Sequence, residues 1–124
     1  MMQFASCFGV DAVSISDIQY SLDSFGDSYR RRVYSPKELS LINSWPGDAA
    51  VCLATLFATK EAVVKALGVT DQAFSWRDIE VLPERGATVV VNLHGAFQGL
   101  APSGIRVALT RAGDLVLALA VVQS

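Results

Sequence analysis

The sequence predicts an α+β domain with helices packed on a small antiparallel sheet. Three observations predict it. Helix-spaced apolar positions bunch between residues 17 and 67, after one strand-like segment at 8–15. Alternating apolar segments broken by turn residues then fill 76–122. No helical pattern separates those later strands, as a doubly wound parallel sheet would require. With 124 residues and no linker, repeat or low-complexity tract, the chain is expected to form a single domain over 1–124.

Phe8 to Ile15 alternates as a strand. Asp17 to Arg32 is expected to be one helix, with Ser16 as its N-cap and Ile18, Leu22, Phe25 and Tyr29 on its apolar side. Ser35-Pro36-Lys37-Glu38 opens a second helix: Ser35 caps it, Pro36 suits the first turn, and Glu38 completes a capping box. That helix ends near Trp45, before Pro46-Gly47. A long third helix runs from Asp48 to Leu67 and stops at Gly68. Trp76–Leu82 and Thr88–Leu93 read as strands, and Gly95–Leu100 as a short helix or turn. Arg106–Thr110 and Leu115–Val122 form a hairpin around Ala112-Gly113-Asp114.

Apolar residues make up 52% of the chain and charged ones 18%, which excludes a disordered segment and leaves more apolar surface than one small domain easily hides. An oligomer is therefore expected. The net charge of −2 offers no field that would recruit nucleic acid. Leu115–Val122 is too short for a membrane span, which takes about 20 residues. MMQFASC lacks the basic and apolar regions of a signal peptide, so the cytoplasm is the expected location. Cys7 and Cys52 have neither disulfide-framework nor metal spacing and are read as small residues in or near the core.

Two anomalies point to chemistry. Strand alternation puts Asp11 on one face with Val13 and Ile15, where a carboxylate is costly unless a cation or donors meet it. It is either a ligand, or a carboxylate that caps a helix or faces solvent. The long helix is apolar nearly all round except for Lys60, Glu61 and Lys65. Glu61 and Lys65 have the spacing of a surface i,i+4 pair, but a single charged spot on a buried helix also suits a metal-bound phosphate.

Five motifs in order resemble the holo-acyl-carrier-protein synthase type of phosphopantetheinyl transferase. They are Gly9-Val10-Asp11-Ala12-Val13, Arg32-Val33-Tyr34-Ser35-Pro36-Lys37-Glu38-Leu39, the helix Phe57-Ala58-Thr59-Lys60-Glu61-Ala62-Val63-Val64-Lys65-Ala66-Leu67, Trp76-Arg77-Asp78-Ile79-Glu80-Val81, and the strand pair Val107–Arg111 and Leu115–Ala118. The resemblance implies a phosphopantetheinyl-transferase-like fold. It also implies transfer of the phosphopantetheine arm of coenzyme A to a serine of an apo acyl or peptidyl carrier protein, with Mg²⁺. On it, Asp11 and Glu61 are metal ligands, Glu61 and Lys65 are catalytic, and Lys60, Lys65 and Arg111 bind coenzyme A. Arg30, Arg31 and Arg32 would meet the acidic helix of a carrier protein, or serve as a solvated helix end suited to its dipole. A homotrimer is implied.

Four positions depart from the family's pattern. Ser14 and Asp17 stand where the family usually has an acid and an arginine, Leu56 where an arginine often precedes the helix motif, and Arg111 where the C-terminal strand has a histidine. An arginine grips a phosphate bidentately but does not exchange a proton near neutral pH. The usual glycine-lysine-proline turn is replaced by Glu84-Arg85-Gly86. These departures frame an alternative: a member of the same fold that binds a carrier protein or coenzyme A thioester, or acts on a carrier-tethered intermediate. His94, the only histidine, aligns with no site position and is read as a surface or capping residue.

Overall fold

Strand β1 (Cys7–Ser14) lies at one edge of a three-stranded antiparallel sheet of order β1-β5-β4, formed with the hairpin β4 (Ile105–Ala112) and β5 (Leu115–Val122). The computed structural model describes residues 7–45, 47–69, 72–84 and 88–124, with Asn43 described in its backbone only. The expectations at the first six residues, and part of the turn after Glu84, lie outside them.

The register pairs Asp11 with Ala118 and Ala118 with Leu109, so alternate residues of the three strands share a face. The inner face carries Gly9, Val13, Val116, Ala118 and Ala120, all buried under helix α4 (Ala49–Leu67). Small residues there let the helix come close. A Cβ placed on Gly9 would overlap the Ala62 carbonyl and lie 2.6 Å from the Ala66 nitrogen, so only glycine permits this approach. Asp48 caps α4 through the Ala50 N–H, and Gly68 ends it in the left-handed conformation at φ 69°.

The segment 15–33 differs from the single helix expected. It forms α1 (Ile15–Phe25) and α2 (Asp27–Val33), broken at Gly26, whose φ of 53° with ψ −125° is a conformation side chains disfavour. The N-cap is Ser14, not Ser16: Ser14 is the extended residue, and its Oγ accepts the Asp17 N–H. The Ser16 hydroxyl instead donates to Asp114 at 2.7 Å. The predicted capping box at α3 (Pro36–Leu41) is present in full. A 3₁₀ turn, Ile42–Ser44, extends it to Trp45.

β2 (Ile79–Pro83) and β3 (Val89–Leu93) form a separate antiparallel pair. The strand begins at Ile79 because Trp76–Asp78 is a 3₁₀ turn capped by Ser75. Trp76 packs edge-on against Phe57 of α4 and against Phe74, joining this pair to the helix. Gly95–Phe97 forms the expected short turn, with Phe97 buried. Cys52 is buried in the core and its thiol is pushed up to about 12, chiefly by burial. Cys7 is exposed, because it occupies the strand's first position.

The outer face of the three-stranded sheet bears Phe8, Val10, Leu115 and Leu119, between 37% and 69% exposed. No element of the chain covers it among the described residues.

Candidate functional site

The close contact at Gly9 sets the site, because it carries the next residues of β1 onto the last turns of α4. There Lys65 Nζ donates to Asp11 Oδ1 at 2.6 Å and to the Val10 carbonyl at 3.3 Å. Asp11 is 12% exposed and Lys65 55%, so the pair lines the wall of an open surface. Pairing with Asp11 raises the Lys65 pKa above that of an ordinary lysine. Glu61, one turn earlier, is half-buried and lies beside Asp11. Burial first, then the Asp11 carboxylate, push Glu61 up from 4.5 to about 7, against the opposing pull of Lys65. Two carboxylates crowded under partial burial cannot both ionise cheaply without a cation.

Residues 50 positions apart thus share one spot, which is the i,i+4 face of α4 turned toward β1. The donor set fits a hard divalent cation: two adjacent carboxylates with a lysine ammonium already drawn to them. Among the described residues no group of three or more His, Cys, Asp or Glu forms a cage. Mg²⁺ is the ion that takes one or two protein carboxylates and fills its shell with phosphate oxygens and water.

Lys60 does not join this cluster, and its assignment to coenzyme A is corrected. Adjacent helical residues point roughly 100° apart, so Lys60 leaves α4 on another side from Glu61. Its side chain is fully buried, and Nζ donates to Glu38 Oε1 at 2.8 Å and to the carbonyls of Ile79 at 2.6 Å and Trp76 at 3.0 Å. All its donors are spent on α3, the 3₁₀ turn at Trp76 and the start of β2. Burial pulls its pKa down, opposed mainly by Glu38. Glu38 also accepts the Ser35 and Val81 N–H groups at 2.7 and 2.8 Å.

Arg111 shares the inner face of the sheet but is aligned with Val116 and Val13, not with Asp11. Its Nε donates to the Gly113 carbonyl, and it borders a cleft of about 190 Å³ with Val51 and Thr55. Within one chain it is not brought to the carboxylates. Leu56 is buried in the core at 1% exposure, so a cation there would have no route to a phosphate in this packing. Asp17 sits exposed in the first turn of α1, where its charge suits the helix dipole. Arg30, Arg31 and Arg32 form the last turn of α2; Arg30 pairs with Asp27 at 3.3 Å, while Arg31 and Arg32 are exposed. His94 is exposed at the end of β3, 3.4 Å from Glu80.

Two supporting carboxylates were not legible as such. Glu38 read only as half of a capping box, and the signal for its second role was an unpartnered lysine on an apolar helix. Asp114, in the hairpin turn, accepts both Ser14 and Ser16 hydroxyls at 2.7 Å and ties the turn to the start of α1. These hydrogen bonds hold its pKa below that of an ordinary aspartate.

Asp11 of β1 thus meets Glu61 and Lys65 of α4 at the strand–helix contact. The family model of the 4'-phosphopantetheinyl transferase superfamily matches residues 7–120. The holo-[acyl-carrier-protein] synthase of Herpetosiphon aurantiacus is 36% identical over 124 residues, covering 91% of this chain and 94% of its own. The crystal structure of the Neisseria meningitidis holo-[acyl-carrier-protein] synthase superposes with a TM-score of 0.83 at 25% identity, covering 95% and 98% of the two chains. A coenzyme A complex of the enzyme from Chronobacterium ammoniagenes superposes at 0.79 with 28% identity, covering 95% and 96%. The chain belongs to the 4'-phosphopantetheinyl transferase superfamily, in its holo-acyl-carrier-protein synthase family.

Proposed function

We propose that this protein transfers the phosphopantetheine arm of coenzyme A to a serine hydroxyl of an apo carrier protein and releases adenosine 3',5'-bisphosphate. The observation that carries this reading is the meeting of Asp11, Glu61 and Lys65 at the β1–α4 contact. Asp11 and Glu61 would hold Mg²⁺, which supplies neutralisation of the diphosphate and a fixed geometry for in-line attack. Lys65, long and exposed, reaches the diphosphate oxygens. The family resemblance also makes Glu61 the candidate to take the serine proton. Incubation with Mg²⁺, coenzyme A and a panel of apo carrier proteins should give a carrier one phosphopantetheine heavier by intact mass. No mass gain on any carrier would overturn the reading.

The whole chain acts as one domain in this account, in the cytoplasm. Exposed Arg31 and Arg32 meet the acidic helix of the carrier. Arg31→Glu is expected to raise KM for the carrier several-fold with little change in kcat; an unchanged KM would move docking elsewhere. The uncovered apolar face of the three-stranded sheet is covered by further copies of this chain in a homotrimer. Light scattering after size exclusion should give three times the chain mass, and Val10→Glu should give monomers. A monomeric wild type would contradict this.

A second reading has its own observation: Arg111 lies apart from the carboxylates and Asp17 adds a negative charge to α1. A protein that only binds a coenzyme A thioester or a carrier would show binding in the same panel without mass gain.

The raised Glu61 pKa has a signed consequence for the metal-free protein. The folded state holds the Glu61 proton to about pH 7, whereas the unfolded chain releases it near 4.5. Between those values the folded state carries more protons, so stability is complete below pH 4.5 and falls as pH rises through 7. Urea midpoints measured in EDTA should decline over that window, and Glu61→Gln should flatten the decline. Equal slopes for both proteins would contradict the assignment.

A further inference from the structure

The Lys65 ammonium sits against Asp11, the carboxylate proposed to hold the metal. It is held there by the carboxylate at 2.6 Å and by the Val10 carbonyl at 3.3 Å. Building on the proposed metal site, we infer that Lys65 is a resident counter-ion that a metal must displace, and that coenzyme A draws it away. The free protein therefore binds metal weakly, and metal and coenzyme A bind with positive coupling.

The geometry makes the exchange feasible. Asp11 is mostly buried while Lys65 is more than half exposed, so the ammonium swings outward on its own stem without disturbing the β1–α4 packing. The two states exchange like for like. In the free state one cation, the ammonium, pairs with Asp11. In the loaded state a divalent ion compensates the two carboxylates and the ammonium pairs with the diphosphate. Neither state leaves Asp11 without a cation, so the exchange avoids the penalty of stripping that mostly buried carboxylate bare. Each ligand alone pays to break the Lys65–Asp11 pair, and that payment is shared when both arrive. The coupling is reciprocal by linkage.

The test reads metal binding directly, from the free Mn²⁺ signal in electron paramagnetic resonance titrations of the full-length protein, with and without coenzyme A. Wild type should bind Mn²⁺ about tenfold more tightly with coenzyme A present. Lys65→Gln should bind Mn²⁺ alone about tenfold more tightly than wild type, and coenzyme A should add little. Lys65→Arg, which keeps a cation within reach of Asp11, should stay weak. Circular dichroism confirms that each variant is folded. If Asp11→Asn abolishes Mn²⁺ binding but Lys65→Gln leaves it unchanged or weaker, the metal site stands and the exchange is refuted. If Asp11→Asn leaves Mn²⁺ binding as it was, the metal site itself is wrong and the inference falls with it.

Discussion

Glu61→Gln is expected to lower the rate of carrier modification by about 10²–10³-fold while the protein stays folded. Glutamine is nearly isosteric, so α4 keeps its seat on β1. What disappears is a charge that cannot be replaced from nearby. Among the described residues no third carboxylate stands beside Asp11. The proton acceptor disappears with it. The loss should appear in kcat, measured by intact mass of the carrier at saturating coenzyme A and Mg²⁺. Raising Mg²⁺ should recover only part of the rate, because extra metal restores charge but not the lost acceptor. Full activity in this variant would remove Glu61 from both roles.

Lys60→Met is expected to cost about 3–5 kcal/mol of stability without a specific loss of coenzyme A affinity. The cause is Glu38, which is buried beside Lys60 with side-chain exposure of 0% for both. Removing the ammonium leaves Glu38 with only the Ser35 and Val81 N–H groups, and leaves the Trp76 and Ile79 carbonyls without their donor. Combining Lys60→Met with Glu38→Gln removes the stranded charge, so the double variant should lose less than the sum of the two single changes. Urea unfolding of the four proteins measures that coupling. A Lys60→Met protein as stable as wild type but unable to bind coenzyme A would return Lys60 to the phosphate site.

The contrast between these neighbours shows where the sequence was legible. Glu61 and Lys65 could be placed together from their i,i+4 spacing, while strand alternation put Asp11 on a face with Val13 and Ile15 and only the family resemblance joined it to Glu61. The helix from Asp48 to Gly68 announced both its ends through its caps. Lys60 could not be resolved in the same way. Its partners come from α3 and β2, and helical spacing records only neighbours within one helix. The break at Gly26 was hidden because apolar positions continue in helical phase across it, and only the glycine's backbone conformation ends α1. Ser14 and Ser16 are equally good capping residues by type; the choice between them was made by Asp114, 98 positions from Ser16. The seat of Asp11 on α4 depended on Gly9, whose lack of a side chain gave no pattern to read. Local chemistry was therefore visible, and what stayed hidden was set by contacts between distant segments.

The proposed transfer requires Asp11, Glu61 and Lys65 to act as one metal-and-phosphate site. Calorimetric titration of the purified protein with coenzyme A, with Mg²⁺ and then in EDTA, tests this most directly. Coenzyme A should bind with Mg²⁺, lose at least about tenfold in affinity when the metal is withdrawn, and lose it equally in Asp11→Asn with Mg²⁺ present. Identical coenzyme A affinity in all three titrations would contradict it.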